Sequence, residues 1–193
     1  MSQGPTERPA EMQHHVGPLY DVARELEAHA SQAGWDQPDK LFAIARTADL
    51  VEREPALASA LGLDGEVSDE DLTPIEQEAT APGLSLEDVL AQIEWPEEVA
   101  GVAAIAERLV LPPGTDDQIP SDPVAAKEFA ANHPERQEVR LVAAVLRTGE
   151  TACALRLKSH DADDLVLTGP DLVPGLLVQL KATLYPEETA ADE

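Results

Sequence analysis

The stretch QEVRLVAAVLRTGETACALRLKS, residues 137–159, constrains the fold more than any other part of the chain. Two apolar runs flank Thr148-Gly149, which reads as a β-hairpin closed by a two-residue turn. Pairing Arg147 with Glu150 sets Val142 opposite Leu155 and Ala144 opposite Cys153. One face then carries Val142, Ala144, Leu146, Cys153, Leu155 and Leu157. The other carries Val139, Leu141, Val145, Ala152 and Ala154, ending in Arg156 and Lys158. A hairpin apolar on both sides needs cover on both, from a helix or from a second copy of the chain, so a homodimer is one expectation.

Other elements follow from periodicity and capping. Pro18 at a first helical position, the spacing of Leu19, Val22, Ala23 and Leu26, and Gly34 as a stop predict a first helix. KLFAIAR (40–46) reads as a strand, with Thr47 capping a following helix that Pro55 interrupts. Ser85 and Asp88 bracket a short helix that ends before Pro96. Residues 99–111 fit a buried strand, although their apolar positions also match a helical stripe broken by Gly101. Asp122 and Pro123 begin another short helix, and Asp171 caps a last one that turns Val173, Leu176, Leu177, Leu180 and Leu184 inward. Residues 62–84, rich in Gly, Pro and acid, form an irregular acidic connection.

The expected architecture is α+β in two layers. An antiparallel sheet of about four strands (40–46, 99–111, 137–147, 151–158) carries the N- and C-terminal helices on one face. Residues 16–185 make one domain between a disordered arm (1–15) and an acidic disordered tail (186–193). His14 and His15, at the edge of the arm, read as plain surface or a weak metal pair.

Charge narrows the function classes. Thirteen basic against thirty-eight acidic residues leave a formal charge of −25, which repels phosphate backbones and anionic membranes. From Glu54 to Glu107 there is no Lys or Arg, whereas Arg136 to Lys181 is balanced. Such lopsidedness suits a basic protein partner, or simply solvation. The longest apolar run, VAGVAAIA (99–106), is far short of the ~20 residues of a membrane span, and the start lacks a signal-peptide core. A cytoplasmic protein is the expectation. Cys153, the only cysteine, reads as a buried apolar side chain.

The hairpin register also carries His160 opposite Gln137, so HPERQ (133–137) and SHDADD (159–164) leave the sheet at the same end. That places His133, Arg136, His160, Asp161, Asp163 and Asp164 in one neighbourhood, with Arg136 and Arg140 placed to pair with the carboxylates. Such a set suits a divalent cation or a His-Asp general base. The spacing matches neither a calcium loop nor HExxH, and an Asp-rich hexamer at a strand end is ordinarily a solvated turn. No phosphate loop, dinucleotide fingerprint or GxSxG elbow is present, and no cofactor is expected. Trp35 and Trp95, both in turns, read as packing plugs or as partner contacts, and Asp69, Glu70 and Asp71 are further candidates on the acidic side.

The phrases GWDQP, LTPIEQE, IEWPEEVAG, ERLVLPP, HPERQEVRLVA, CALRLKSHD and LTGPDLVPGL together resemble an uncharacterised protein family of high-GC Gram-positive bacteria, over roughly residues 34–184. The resemblance implies a bacterial cytoplasmic protein and agrees with strands at 40–46 and 99–111. It carries no activity across. The leading expectation is therefore a non-enzymatic adaptor or chaperone-like module, holding a partner by its negative region or by an alanine-lined sheet face. The alternatives are a small-molecule or metal-dependent enzyme at His133 and His160, and an acidic nucleic-acid mimic.

Overall fold

A computed structural model describes residues 15–78 and 83–185. Residues 1–14 and 186–193, on which the terminal-arm and acidic-tail expectations fall, lie outside the described residues. Among those described, six antiparallel strands form one sheet in the order β2-β1-β3-β4-β5-β6. They are β1 (Lys40–Arg46), β2 (Leu72–Glu76), β3 (Gly101–Val110), β4 (Gln137–Leu146), β5 (Thr151–Leu157) and β6 (Leu167–Gly169). The helices are α1 (Pro18–Gln32), α2 (Thr47–Arg53), α3 (Pro55–Ala60), α4 (Leu86–Leu90), α5 (Pro123–Asn132) and α6 (Pro174–Leu184).

The α+β class and the four expected strands are present, and two more flank them. β2 lies inside the segment expected to be irregular, and β6 follows the Asp-rich turn. Both are short edge strands, one holding Pro74 and the other Gly169, so neither leaves a period-2 apolar pattern to be read.

The terminal helices cover opposite faces of the sheet, in three layers rather than two. Leu19, Val22, Ala23, Leu26 and Ala30 of α1 pack on Ile44, Ala103, Ile105, Val142, Ala144, Ala152 and Ala154. Leu177, Leu180 and Leu184 of α6, with Leu86, Val89 and Leu90 of α4, pack on Leu41, Val102, Ala104, Ala143, Val145 and Cys153. The two sets alternate along each strand, as side chains on a pleated sheet must. Both sheet faces are thus filled by the chain's own helices, and the alanine-lined face is not open to a partner. Burial raises the Cys153 thiol above its ordinary pKa, in keeping with an apolar role.

The hairpin differs from expectation by one residue. Leu146 N–H donates to Glu150 O at 2.9 Å and Gly149 N–H to Leu146 O at 2.9 Å, so Arg147, Thr148 and Gly149 form the loop, with Gly149 at φ 93°. A three-residue loop ending in a left-handed glycine shifts the pairing to Val142↔Ala154, Ala143↔Cys153 and Ala144↔Ala152. A one-residue slip exchanges faces. Val142 and Ala144 therefore share a side with Ala152, Ala154, Arg140 and Arg156.

Local signals mostly hold. Ser85 and Asp88 form a reciprocal capping box, and Asp122 accepts from Ala125 N–H. Thr47 does not cap α2, because its hydroxyl bonds Thr73 in a buried pair at 2.8 Å that ties β2 to the start of the helix. Asp171 does not cap α6 either: the N-cap is Val173, with Pro174 next and no side-chain cap. Arg147, in the hairpin loop, donates to the carbonyls of Trp95, Pro96, Val99 and Leu184, joining the hairpin to both ends of the α4–α6 layer.

Gly101 begins β3, opposite Leu146 of β4. A Cβ there would lie 2.4 Å from Val145 O, a main-chain atom that moves only if β4 moves. Gly101→Ala is expected to lower the unfolding free energy by ~3 kcal/mol, the upper end for forcing a methyl into a filled interior, as measured by urea denaturation.

Candidate functional site

At one end of the α1 face the sheet stops being apolar. Glu107 of β3 pairs with Arg140 of β4, and Arg140 with Arg156 of β5, so two arginines stand directly opposite each other. Both side chains are almost completely buried, at 1% and 3% exposure. Like charges so placed repel, and the arrangement persists because α1 lowers Glu27, itself 3% exposed, between them. Arg156 grips this carboxylate in bidentate fashion, Nε to Oε1 at 2.6 Å and Nη2 to Oε2 at 2.9 Å. These bonds, foremost among several causes, raise the Arg156 pKa further above its ordinary value, against its burial. Arg140 Nη1 stands 3.6 Å from Glu27 Oε1 and its Nη2 is 3.0 Å from Glu107 Oε1.

The loop after α1 closes over this network. Glu107 Oε2 accepts from the backbone N–H groups of Asp36 and Gln37, and Arg140 also donates to Gly34 O. The Trp35 ring lies 4.5 Å from the Arg140 guanidinium and 5.5 Å from Lys158 Nζ, and its indole N–H donates to Asp161 at 2.9 Å. Asp161 and Asp163 each accept from Arg156, at 3.0 and 2.7 Å. Asp161 is held below the ordinary aspartate pKa, first by the Trp35 hydrogen bond and then by Arg156.

The expected cluster is thereby divided. Asp161 and Asp163 belong to the Arg156 network, whereas Arg140 pairs with Glu27 and Glu107 rather than with them. Asp164 is exposed beside them. His160 is exposed and hydrogen-bonds Ser159 at 2.9 Å. His133, after α5, meets the Phe129 ring edge-on at 5.7 Å, and its Nδ1 accepts from Glu135 N–H. Arg136 donates to His133 O. Among the described residues, no group of three or more His, Cys, Asp or Glu is arranged to hold a metal ion. Trp95 is half-buried against the α6 layer, its indole N–H donating to Thr183 at 3.0 Å, and Asp69, Glu70 and Asp71 are exposed in the turn before β2. His15 stacks on Tyr20 at 5.1 Å.

Beside the network a cleft of about 570 Å³ opens between α1 and the edge of the sheet, its floor containing Glu27 and Arg156 and its rim Asp163 and Asp164. Glu27 was the residue hidden in the sequence. It sits four residues after Ala23 and three before Ala30, inside the apolar stripe of α1, and an acid at such a position is the mark of a buried partner.

A model of the PPA1309-like protein family matches residues 19–185, from the first core leucine of α1 to the end of α6. The chain belongs to that family. Its name comes from a protein of Propionibacterium acnes, an actinobacterium, in keeping with the Gram-positive resemblance read from the motifs. The match also takes in α1 and so includes Glu27, Trp35, Arg140 and Arg156 in one span. No curated protein and no solved structure matches the chain.

Removing the shared carboxylate tests the network. Glu27→Gln leaves two buried guanidinium groups without their common counter-charge and is expected to lower stability by about 3–5 kcal/mol in urea melts. Replacing Glu27, Arg140 and Arg156 together by Leu, Met and Met is expected to recover most of that loss, because the three buried charges go together and Glu107, 17% exposed, keeps the N–H groups of Asp36 and Gln37.

Acid gives a second test. A depressed folded pKa at Asp161 contributes stability that is complete above the ordinary aspartate range and is lost as pH falls through the lowered value. Stability followed by tryptophan fluorescence is expected to decline below about pH 4, with a shallower decline in Asp161→Asn.

Proposed function

We propose that the chain is a non-enzymatic, cytoplasmic interaction module that holds a basic protein partner against an acidic outer surface. One observation carries this reading: acidic side chains far outnumber basic ones at the described surface, where Arg46, Arg53, Lys127, Arg136 and Lys181 are exposed while Arg140 and Arg156 are buried. Arg24, Lys40, Arg108, Arg140, Arg156 and Lys158 are held in ion pairs, and Arg147 is directed onto main-chain carbonyls. Asp69, Glu70, Asp71, Glu97 and Glu98 are exposed, within the stretch that has no Lys or Arg. An outward field of one sign speeds encounter with a partner of the other and rejects partners of its own.

No helix among the described residues is long and apolar enough to cross a membrane. The hydrogen bonds found for His133 and His160 stay within their own turns, so no observation favours the small-molecule or metal enzyme over the interaction module.

Affinity capture on the full chain from a native lysate, quantified by cross-linking mass spectrometry at low and high salt, tests the proposal. A stoichiometric basic partner is expected at low salt, released at high salt, and bound about tenfold more weakly by the triple variant Asp69→Asn, Glu70→Gln, Asp71→Asn. Absence of any stoichiometric partner at either salt concentration would overturn it.

A further inference from the structure

The cleft between α1 and β6 has the chemistry of a peptide seat, and we propose that it receives an extended segment bearing an aliphatic side chain next to a lysine or arginine. The proposal rests on the interaction-module reading and assigns that partner's point of entry. Four features of the cleft combine to select this occupant.

The first is size. At about 570 Å³ the cleft falls within the usual range of ligand sites, ~300–1,000 Å³, and is large enough for several side chains. The second is an exposed apolar wall. Leu167 and Leu172 line the cleft and remain 45% and 37% exposed, and Leu165 next to them is 46% exposed. Leu167 opens β6, the last strand of the sheet, and Leu165 and Leu172 flank that strand. Exposed Ala28 of α1 and partly buried Val166 also line the cleft.

The third is the sign of the accessible charge. Arg156 is sunk in the floor at 3% exposure, while the Asp163 carboxylate that it binds is 93% exposed. Asp164 is exposed alongside. Arg24, the other cation lining the cleft, is taken by Asp21, whose carboxylate is 75% exposed, and by His15 O. An incoming side chain meets the exposed Asp163 and Asp164 carboxylates and the exposed leucines, while Arg24, 38% exposed, is paired to Asp21. The fourth is that Glu27 and Arg156 of the floor are hydrogen-bonded, Arg156 to Glu27, Asp161 and Asp163. Among the described residues, the buried side-chain atoms without a partner, Nε and Nη1 of Arg140, belong to a residue outside the cleft lining. A small polar metabolite needs unpaired polar groups to be oriented, whereas a peptide is held by apolar contact and rim charge. A second copy of the chain would bring the same negative rim, and like charges across an interface oppose association.

The test uses the full-length chain and a fluorescein-labelled hexapeptide of alternating leucine and lysine. Two control peptides replace every lysine by glutamate, or every leucine by serine. Binding is followed by fluorescence anisotropy. The leucine-lysine peptide is expected to bind, and both controls are expected to bind at least tenfold more weakly. Leu167→Ser and Asp164→Lys are each expected to weaken binding about tenfold. Both positions are exposed, and melting curves for the two variants establish that each is folded.

Equal binding by wild type and both variants, or equal binding of the glutamate peptide, overturns the assignment. So does a small aliphatic amine that displaces the peptide at equal affinity, or a dimer in sedimentation that Leu167→Ser abolishes. The two proposals fail separately. A captured partner whose binding Leu167→Ser leaves intact removes the cleft but keeps the module. Absence of any stoichiometric partner removes the module.

Discussion

Two arginines facing each other across neighbouring strands, with one glutamate between them, govern the geometry of this protein. Removing a charge from water costs several kcal/mol, and three charges buried together are tolerable only when each finds its counterpart at bonding distance. Arg156 supplies a rigid fork that fits Glu27, and Arg140 shares that carboxylate and reaches Glu107 on the other side. The constraint acts on three levels. It orients α1, because only one rotation of the helix delivers Glu27. It fixes the β4–β5 register, since a slipped pairing would send one arginine through to the α6 face. It anchors the loop after α1, whose backbone donates to Glu107 and whose Trp35 lies against Arg140.

Away from this polar end, small side chains set the thickness of the three layers. Ala103, Ala144, Ala152 and Ala154 face α1, and Ala104, Ala143 and Cys153 face the α4–α6 side. Small residues let a helix approach the sheet closely and leave the larger Leu and Val side chains of the helices to fill the gaps. The covering layer on the second side is assembled from two pieces, α4 and α6, and Arg147 joins them by gathering carbonyls from the turn after α4 and from the end of α6.

Much of this was legible in the sequence because it is local. The core stripe of α1, the capping box at Ser85 and Asp88, the N-cap at Asp122 and the buried strand after Gly101 depend on neighbours within one or two turns, where propensity and capping operate. What failed was chiefly non-local, apart from the caps expected at Thr47 and Asp171. Whether the hairpin loop holds two residues or three is decided by the left-handed Gly149 and by the packing of both faces, and that choice determined which side Arg156 shares with Arg140. With the wrong register the two arginines fall on opposite faces, and Glu27, although visible within the α1 stripe, is left without a pair of partners. The edge strands escaped for a different reason: three residues with a glycine, or five with a proline, contain too little pattern.

Those same edges bear on the molecule's behaviour at high concentration. A sheet whose outermost ribbons are long and regular offers its unused amide rows as a template on which further molecules can stack into fibrils. Here one border is interrupted by the imino ring of Pro74, and the other spans only Leu167–Gly169. A chain so rich in small apolar residues has a six-stranded sheet and still presents almost no border on which self-templating growth could begin.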